Sequence, residues 1–273
     1  MTRRALALNI LGPLLSLVLL VGVWWAIVDF GHVAPYLAPT PRAAFDAVTS
    51  QWSTIWPLTW GTITETIWGF LAGAILGIAF GVVMAKVGLL QRVLYPLLIL
   101  TQAVPIVAVA SPLVLLLGFN LGPKIVIVAW IVFFPVTVNI LDGLNHVDSD
   151  LLTLSRVLGA PSWRTFVLIE VPATAAPLFS GLKIGATYAV TGAIIGEMSA
   201  SAGSSLALFQ HNAIGQLDSA TVYGTTLVMT AIGMSWFLLM VGLEYLATPW
   251  LRRTTARPGL FGAKNVGTRL KGL

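Results

Sequence analysis

Few side chains in this sequence of 273 residues could do chemistry, and most of those lie in or beside long uncharged stretches. Lys183 falls about nine residues into one apolar run, and Glu197 follows fourteen residues later. At ~1.5 Å of rise per residue the two sit ~21 Å apart on nearly the same helical face, too far to pair. A lysine at that depth is costly and faces a cavity or a partner. The other reading is that its helix starts later and the ammonium snorkels to the interface. Glu197 either lines an outer mouth, where it could meet a partner protein, or is a solvated loop carboxylate. Gln102 and Asn139 are neutral amides inside other apolar runs. An unpaired amide in hydrocarbon is costly, so each must face another helix or water, as an interhelical hydrogen-bonding group or as a contact for a solute. Pro105, three residues after Gln102, removes a backbone donor and can open the helix next to a pathway.

These groups do not make a catalytic constellation. His32, His146 and His211 fall in loops with no HExxH pattern, and there is no GxSxG setting for a nucleophile. There are no cysteines. No GxxxxGK[ST] phosphate loop occurs, so the chain does not cradle ATP by that device. No catalytic residue, metal or cofactor is expected.

The elements that position these groups must be membrane helices. Hydrophobic residues make up 57% of the chain and charged ones 9%, where a soluble domain carries about 25% charged residues. A bilayer core of ~30 Å takes about 20 apolar helical residues, and the sequence predicts spans over 10–28, 66–85, 93–117, 125–141, 173–196 and 221–243. The first is longer than the apolar region of a secretory signal, and Trp24, Trp25, Asp29 and Phe30 replace the small residues of a cleavage site, so it is expected as an uncleaved span. Twelve of the fifteen Lys and Arg fall on one side of this layout, Arg42 and Lys124 on the other, and Lys183 within the membrane. The positive-inside rule then places both termini in the cytoplasm. The basic tail reads as a topology signal beside anionic lipid, with no nucleic-acid role. In the second span Gly69, Gly73, Gly77 and Gly81 share one face and make a strip for close helix approach, whether by a helix of the same chain or of a second subunit.

The longest internal loop, 142–172, is expected on the cytoplasmic side. Asp148 or Ser149 can cap a short helix through Leu158, with Leu151, Leu154 and Leu158 on one face. Gly159 ends it in a left-handed cap. Pro161 and Ser162 start a second helix through Trp163, Phe166 and Ile169, which Pro172 is expected to stop before the fifth span.

The stretch from Thr153 to Pro172, TLSRVLGAPSWRTFVLIEVP, resembles the cytoplasmic signature loop of ABC importer permeases. Gly159, Ile169, Val171 and Pro172 match in register, whereas Thr153, Leu154 and Ser155 replace the family's Glu-Ala-Ala triplet. Leu37-Ala38-Pro39-Thr40-Pro41 looks like the family's external turn leading into a helix, and Gly181-Leu182-Lys183-Ile184 like the opening of its fifth span. The chain is most similar to the nitrate/sulfonate/taurine-type permeases. Thr101-Gln102-Ala103-Val104-Pro105 and Gly192-Ala193-Ile194-Ile195-Gly196-Glu197 look more like the subset importing thiamine-pyrimidine precursors or riboflavin.

The resemblance implies an all-α membrane protein of about six transmembrane helices, a type I ABC importer permease fold in one domain over 1–273, in a bacterial plasma or inner membrane. It implies two ABC ATPase subunits, an extracytoplasmic substrate-binding protein and a second permease chain, giving a homodimer. The expected ATPase-coupling surface is Leu154, Leu158, Gly159, Ala160, Trp163, Phe166 and Pro172. The candidate substrate pathway comprises Gln102, Pro105, Asn139, Lys183 and Glu197. The competing reading, a self-sufficient secondary transporter or channel, needs its own coupling-ion groups and often repeated halves. Only Lys183 lies well inside a predicted span, and no repeat is evident.

Overall fold

The computed structural model describes Leu15 and residues 19–200 and 203–250, and every regular element among them is helical. In chain order these are α1 (Leu19–Phe30), α2 (Pro41–Ser50), α3 (Trp52–Lys86), α4 (Gly88–Thr101), α5 (Ile106–Leu117), α6 (Leu121–Asn145), α7 (Ser149–Val157), α8 (Ser162–Ala200), α9 (Leu206–Gly215) and α10 (Ser219–Ala247). By length and hydropathy α3, α6, α8 and α10 can each cross a membrane, and α4 with α5 forms a bent pair that counts as a fifth span. Residues 10–14 and 16–18 of the predicted span 10–28, and the terminal basic residues that bear on orientation, lie outside the described residues.

The middle of the bundle is α6, gripped on two sides. Along α3, Val128, Val132, Val136 and Ile140 of α6 seat on Gly69, Gly73, Gly77 and Gly81 respectively. The fit leaves no room for a side chain: a Cβ at Gly73 would lie 2.5 Å from the Ala129 carbonyl oxygen, and one at Gly69 2.3 Å from Val128 Cβ. The partner of the glycine strip is therefore a helix of the same chain. On its other side α6 meets Gly181, Gly185, Gly192 and Gly196 of α8. Phe70 and Ala74 of α3, the α6 valines, Ala186, Ala189 and Ala193 of α8 and Met240 of α10 make the buried core. Such small-residue seams replace the hydrophobic effect, which lipid does not supply between helices.

The helix opens at Pro105, as a proline there allows, whereas the stop expected at Pro172 fails. The predicted span 93–117 is not one rod: α4 and α5 meet at 96°. Gln102, Ala103 and Val104 donate to the carbonyls three residues back, tightening the end of α4, and Pro105 stands extended at φ −61°, ψ 118° before α5. Its ring disfavours a helical residue before it and it has no N–H to continue the ladder. Pro172, by contrast, does not stop its helix. A widened turn over Phe166–Glu170, in which Val171 N–H donates to the Phe166 carbonyl five residues back, precedes it, and α8 runs on unbroken to Ala200. The wide turn shifts the donor register, so the proline's missing N–H falls where the ladder is already rearranged.

Candidate functional site

The break between α4 and α5 opens a cavity of about 550 Å³ against α6 and α8. Gln102 and Pro105 from the break, Asn139 from α6 and Tyr188 from α8 line it, with Trp130 and Phe134 as its aromatic walls. Three of the five pathway residues expected from sequence thus converge. The Asn139 amide nitrogen donates to the Pro135 carbonyl at 2.8 Å, one turn back on α6. The Gln102 amide and the Tyr188 hydroxyl make no hydrogen bond among the described residues.

Lys183 and Glu197 do not reach this cavity. Lys183 Nζ donates to Glu244 Oε2 of α10 at 2.8 Å, each side chain 24% exposed. Its neighbour Ile184 is the residue that faces the cavity. The lysine is therefore partnered within the bundle, about 20 Å along α8 from Glu170.

Glu197 is not a solvated loop carboxylate: it is buried, at 1% exposure. It accepts from Thr62 Oγ1 at 2.5 Å and from Ala207 N–H at 2.7 Å, which places the carboxylate at the start of α9. Free N–H groups and the helix dipole favour an anion there. Beside it, Lys124 Nζ donates to Glu65 Oε1 at 2.7 Å, with the side chains 13% and 6% exposed. Glu65 Oε2 is buried without a partner. So Lys183 is not the sole charge within the bundle, and Lys124 belongs to the first turn of α6 rather than to a solvated turn. Sequence reading missed Glu65 because the apolar window began one residue after it, whereas α3 starts at Trp52. Opposite charges at matching depths in two spans were the available signal.

At the other end of the bundle, α7 and the start of α8 form the expected helix pair. Asp148 accepts from the Asp150 N–H at 2.8 Å to cap α7. Gly159 has φ +69°, the left-handed conformation a β-carbon disfavours. Leu154, Leu158 and Trp163 stand exposed, at 54%, 74% and 63%, so no helix among the described residues covers them. Gly159 is also exposed, whereas Ala160, Phe166 and Pro172 are half-buried. Ser155 is buried and bonds to Thr165 at 3.1 Å, tying the two helices together. Lys86, at the end of α3, pairs with Glu170 and lies 5.0 Å from the Phe166 ring centroid. Among the described residues no group of His, Cys, Asp and Glu could hold a metal ion.

Comparison with known sequences places this arrangement. The family described as "Binding-protein-dependent transport system inner membrane component" matches residues 69–253. A formylaminopyrimidine transport permease protein of Halalkalibacterium halodurans is 31% identical over 60% of this chain and 65% of its own. A riboflavin transport system permease protein of Chloroflexus aurantiacus is 29% identical over 88% and 90%, respectively. A taurine transport system permease protein of Escherichia coli is 24% identical over 86% and 88%.

Proposed function

Because the chain belongs to the family of inner-membrane components of binding-protein-dependent transport systems, and is a multi-pass permease subunit, we propose that α7 and the first turns of α8 dock on a separate ATP-hydrolysing subunit. ATP hydrolysis there would drive alternating access in this chain. The observation that carries this is the exposure of Leu154, Leu158 and Trp163 on a helix pair that is internally braced yet continuous with a spanning helix. An apolar face held rigid and left bare is a surface shaped for a partner.

In this reading the 142–172 end is cytoplasmic, as the distribution of Lys and Arg supports, and the end holding Glu65, Lys124 and Glu197 faces outward. An extracytoplasmic binding protein delivers cargo to that outer end. A second copy of the chain closes the open side of the cavity beside Gln102, making a homodimer. The cargo is a small solute of the kind named for the relatives: a pyrimidine or vitamin precursor, a sulfonate, or a nitrate-like ion.

The chain has no cysteine of its own, which makes the docking test clean. Cysteine placed at Leu158 or Ser162 is expected to crosslink to a co-expressed ATPase subunit, and uptake in vesicles is expected to require ATP. Crosslinks absent from both positions would overturn the docking; uptake driven by an ion gradient in the chain alone would favour a self-sufficient transporter.

A further inference from the structure

We propose that the cavity beside the α4–α5 break accepts an uncharged, planar heteroaromatic solute and rejects small anions. The inference rests on the reading of that cavity as part of the transport path, and narrows the cargo within it.

The lining contains no charged side chain. The three lysines of the bundle are each committed: Lys86 to Glu170, Lys124 to Glu65 and Lys183 to Glu244. A sulfonate or nitrate stripped of water would meet no counter-charge, and an unpaired ion in such surroundings is heavily penalised. What the cavity offers instead is flat apolar surface and neutral polar groups. Trp130, Phe134 and Tyr188 supply ring faces on which a heterocycle can stack. The Gln102 amide, without a hydrogen bond among the described residues, carries a donor and an acceptor side by side, the edge that matches a ring nitrogen beside an exocyclic amine. At the start of α5, Ile106, which lines the cavity, has no acceptor within its own helix for its N–H group, and this suits a ring nitrogen or carbonyl. It leans towards negative charge, and it comes without a cation. The volume of about 550 Å³ falls in the range of small-molecule sites.

The test uses the full chain in lipid nanodiscs with four probes: 4-aminopyrimidine and riboflavin as neutral heterocycles, methanesulfonate and nitrate as anions. Equilibrium dialysis is expected to detect at least one heterocycle and neither anion. Gln102→Leu and Trp130→Leu are each expected to weaken heterocycle binding about tenfold, the measure of one lost polar or stacking contact. Thr230→Val, in a separate groove between α8 and α10, is expected to leave it unchanged. Binding of an anion in preference to both heterocycles, binding of no heterocycle, or equal loss in all three variants would overturn the proposal. Failure of the permease reading shows elsewhere, in the missing ATPase crosslink or ATP-independent uptake, so the two failures are distinguishable.

Discussion

Lys124 holds Glu65 at 2.7 Å, and Gly196, the residue before Glu197, lies against the Lys124 backbone. The backbone of Lys124 thus packs beside the turn that carries a second buried carboxylate, Glu197, while its ammonium pairs with Glu65. Glu197 has its own donors in Thr62 and Ala207, whereas among the described residues Glu65 has only the lysine. Lys124→Met keeps the apolar stem and strands Glu65, and removing one partner of a buried pair costs about 3–5 kcal/mol. The double variant Glu65→Met, Lys124→Met replaces both charges with apolar groups and is expected to recover most of that loss, because the strand of uncompensated charge disappears. Thermal unfolding of the two purified proteins in the same detergent reads the difference. A double variant no more stable than Lys124→Met would show that the lysine serves a group other than Glu65. Local pattern along the chain hid this pairing, and only the matching depths of Glu65 and Lys124 in two spans pointed to it. Lys124 follows a Gly and a Pro and reads as part of a turn, and Glu197 precedes a run of Ser, Ala and Gly that reads as a loop. Their burial depends on α9 and α3 closing over them, which no local pattern encodes. Gln102, Pro105 and Asn139 were legible, because a polar group or a proline inside an apolar run must be explained wherever the run lies.

At the scale of elements, the glycines of α3 were visible as a four-residue period, and the period alone required a close neighbour. Its identity came only from the β-branched stripe of α6, Val128 to Ile140, which has the same spacing and fits one side chain to each glycine. Gly73→Ala would force a Cβ against the Ala129 carbonyl oxygen and is expected to destabilise the fold by about 1–3 kcal/mol, as overpacking does. Gly61→Ala, on the same helix with nothing within 4 Å of the new Cβ, is expected to stabilise by about 0.5–1 kcal/mol through helix propensity. Unfolding temperatures moving in opposite directions check both; a shift of the same sign and size would mean that α3 does not pack on α6 as described. The prolines teach the converse lesson. Pro105 breaks its helix and Pro172 does not, although both follow apolar residues. The difference lies in the widened turn before Pro172, a backbone adjustment beside which Lys86 lies over the Phe166 ring and which is invisible in composition.

Across the whole molecule, charge is layered. Glu170, Lys183 and Glu197 all belong to α8, spaced thirteen and fourteen residues apart, or ~20 Å at each step. Each is held by a different partner: Lys86 of α3, Glu244 of α10, and Thr62 of α3 with the start of α9. A rod pinned at three depths to its neighbours moves them when it moves. In the proposed function the movement enters at α7 and the start of α8, so the Lys86–Glu170 pair is the first point at which it passes to α3. The lysine side chain is 44% exposed, so this pair adds at most about 1 kcal/mol to stability. In the proposed function its contribution is mechanical. Lys86→Glu sets two carboxylates against each other and is expected to leave the unfolding temperature nearly unchanged while lowering uptake per ATP hydrolysed about tenfold, within the usual range of coupling between sites. Exchanging the charges, Lys86→Glu with Glu170→Lys, restores the pair and is expected to restore uptake. ATP hydrolysis and uptake measured together in vesicles holding the assembled transporter decide it. If the exchanged variant stays uncoupled while the helix pair still crosslinks to the ATPase, α3 is driven through Phe166 and the backbone rather than through the ion pair.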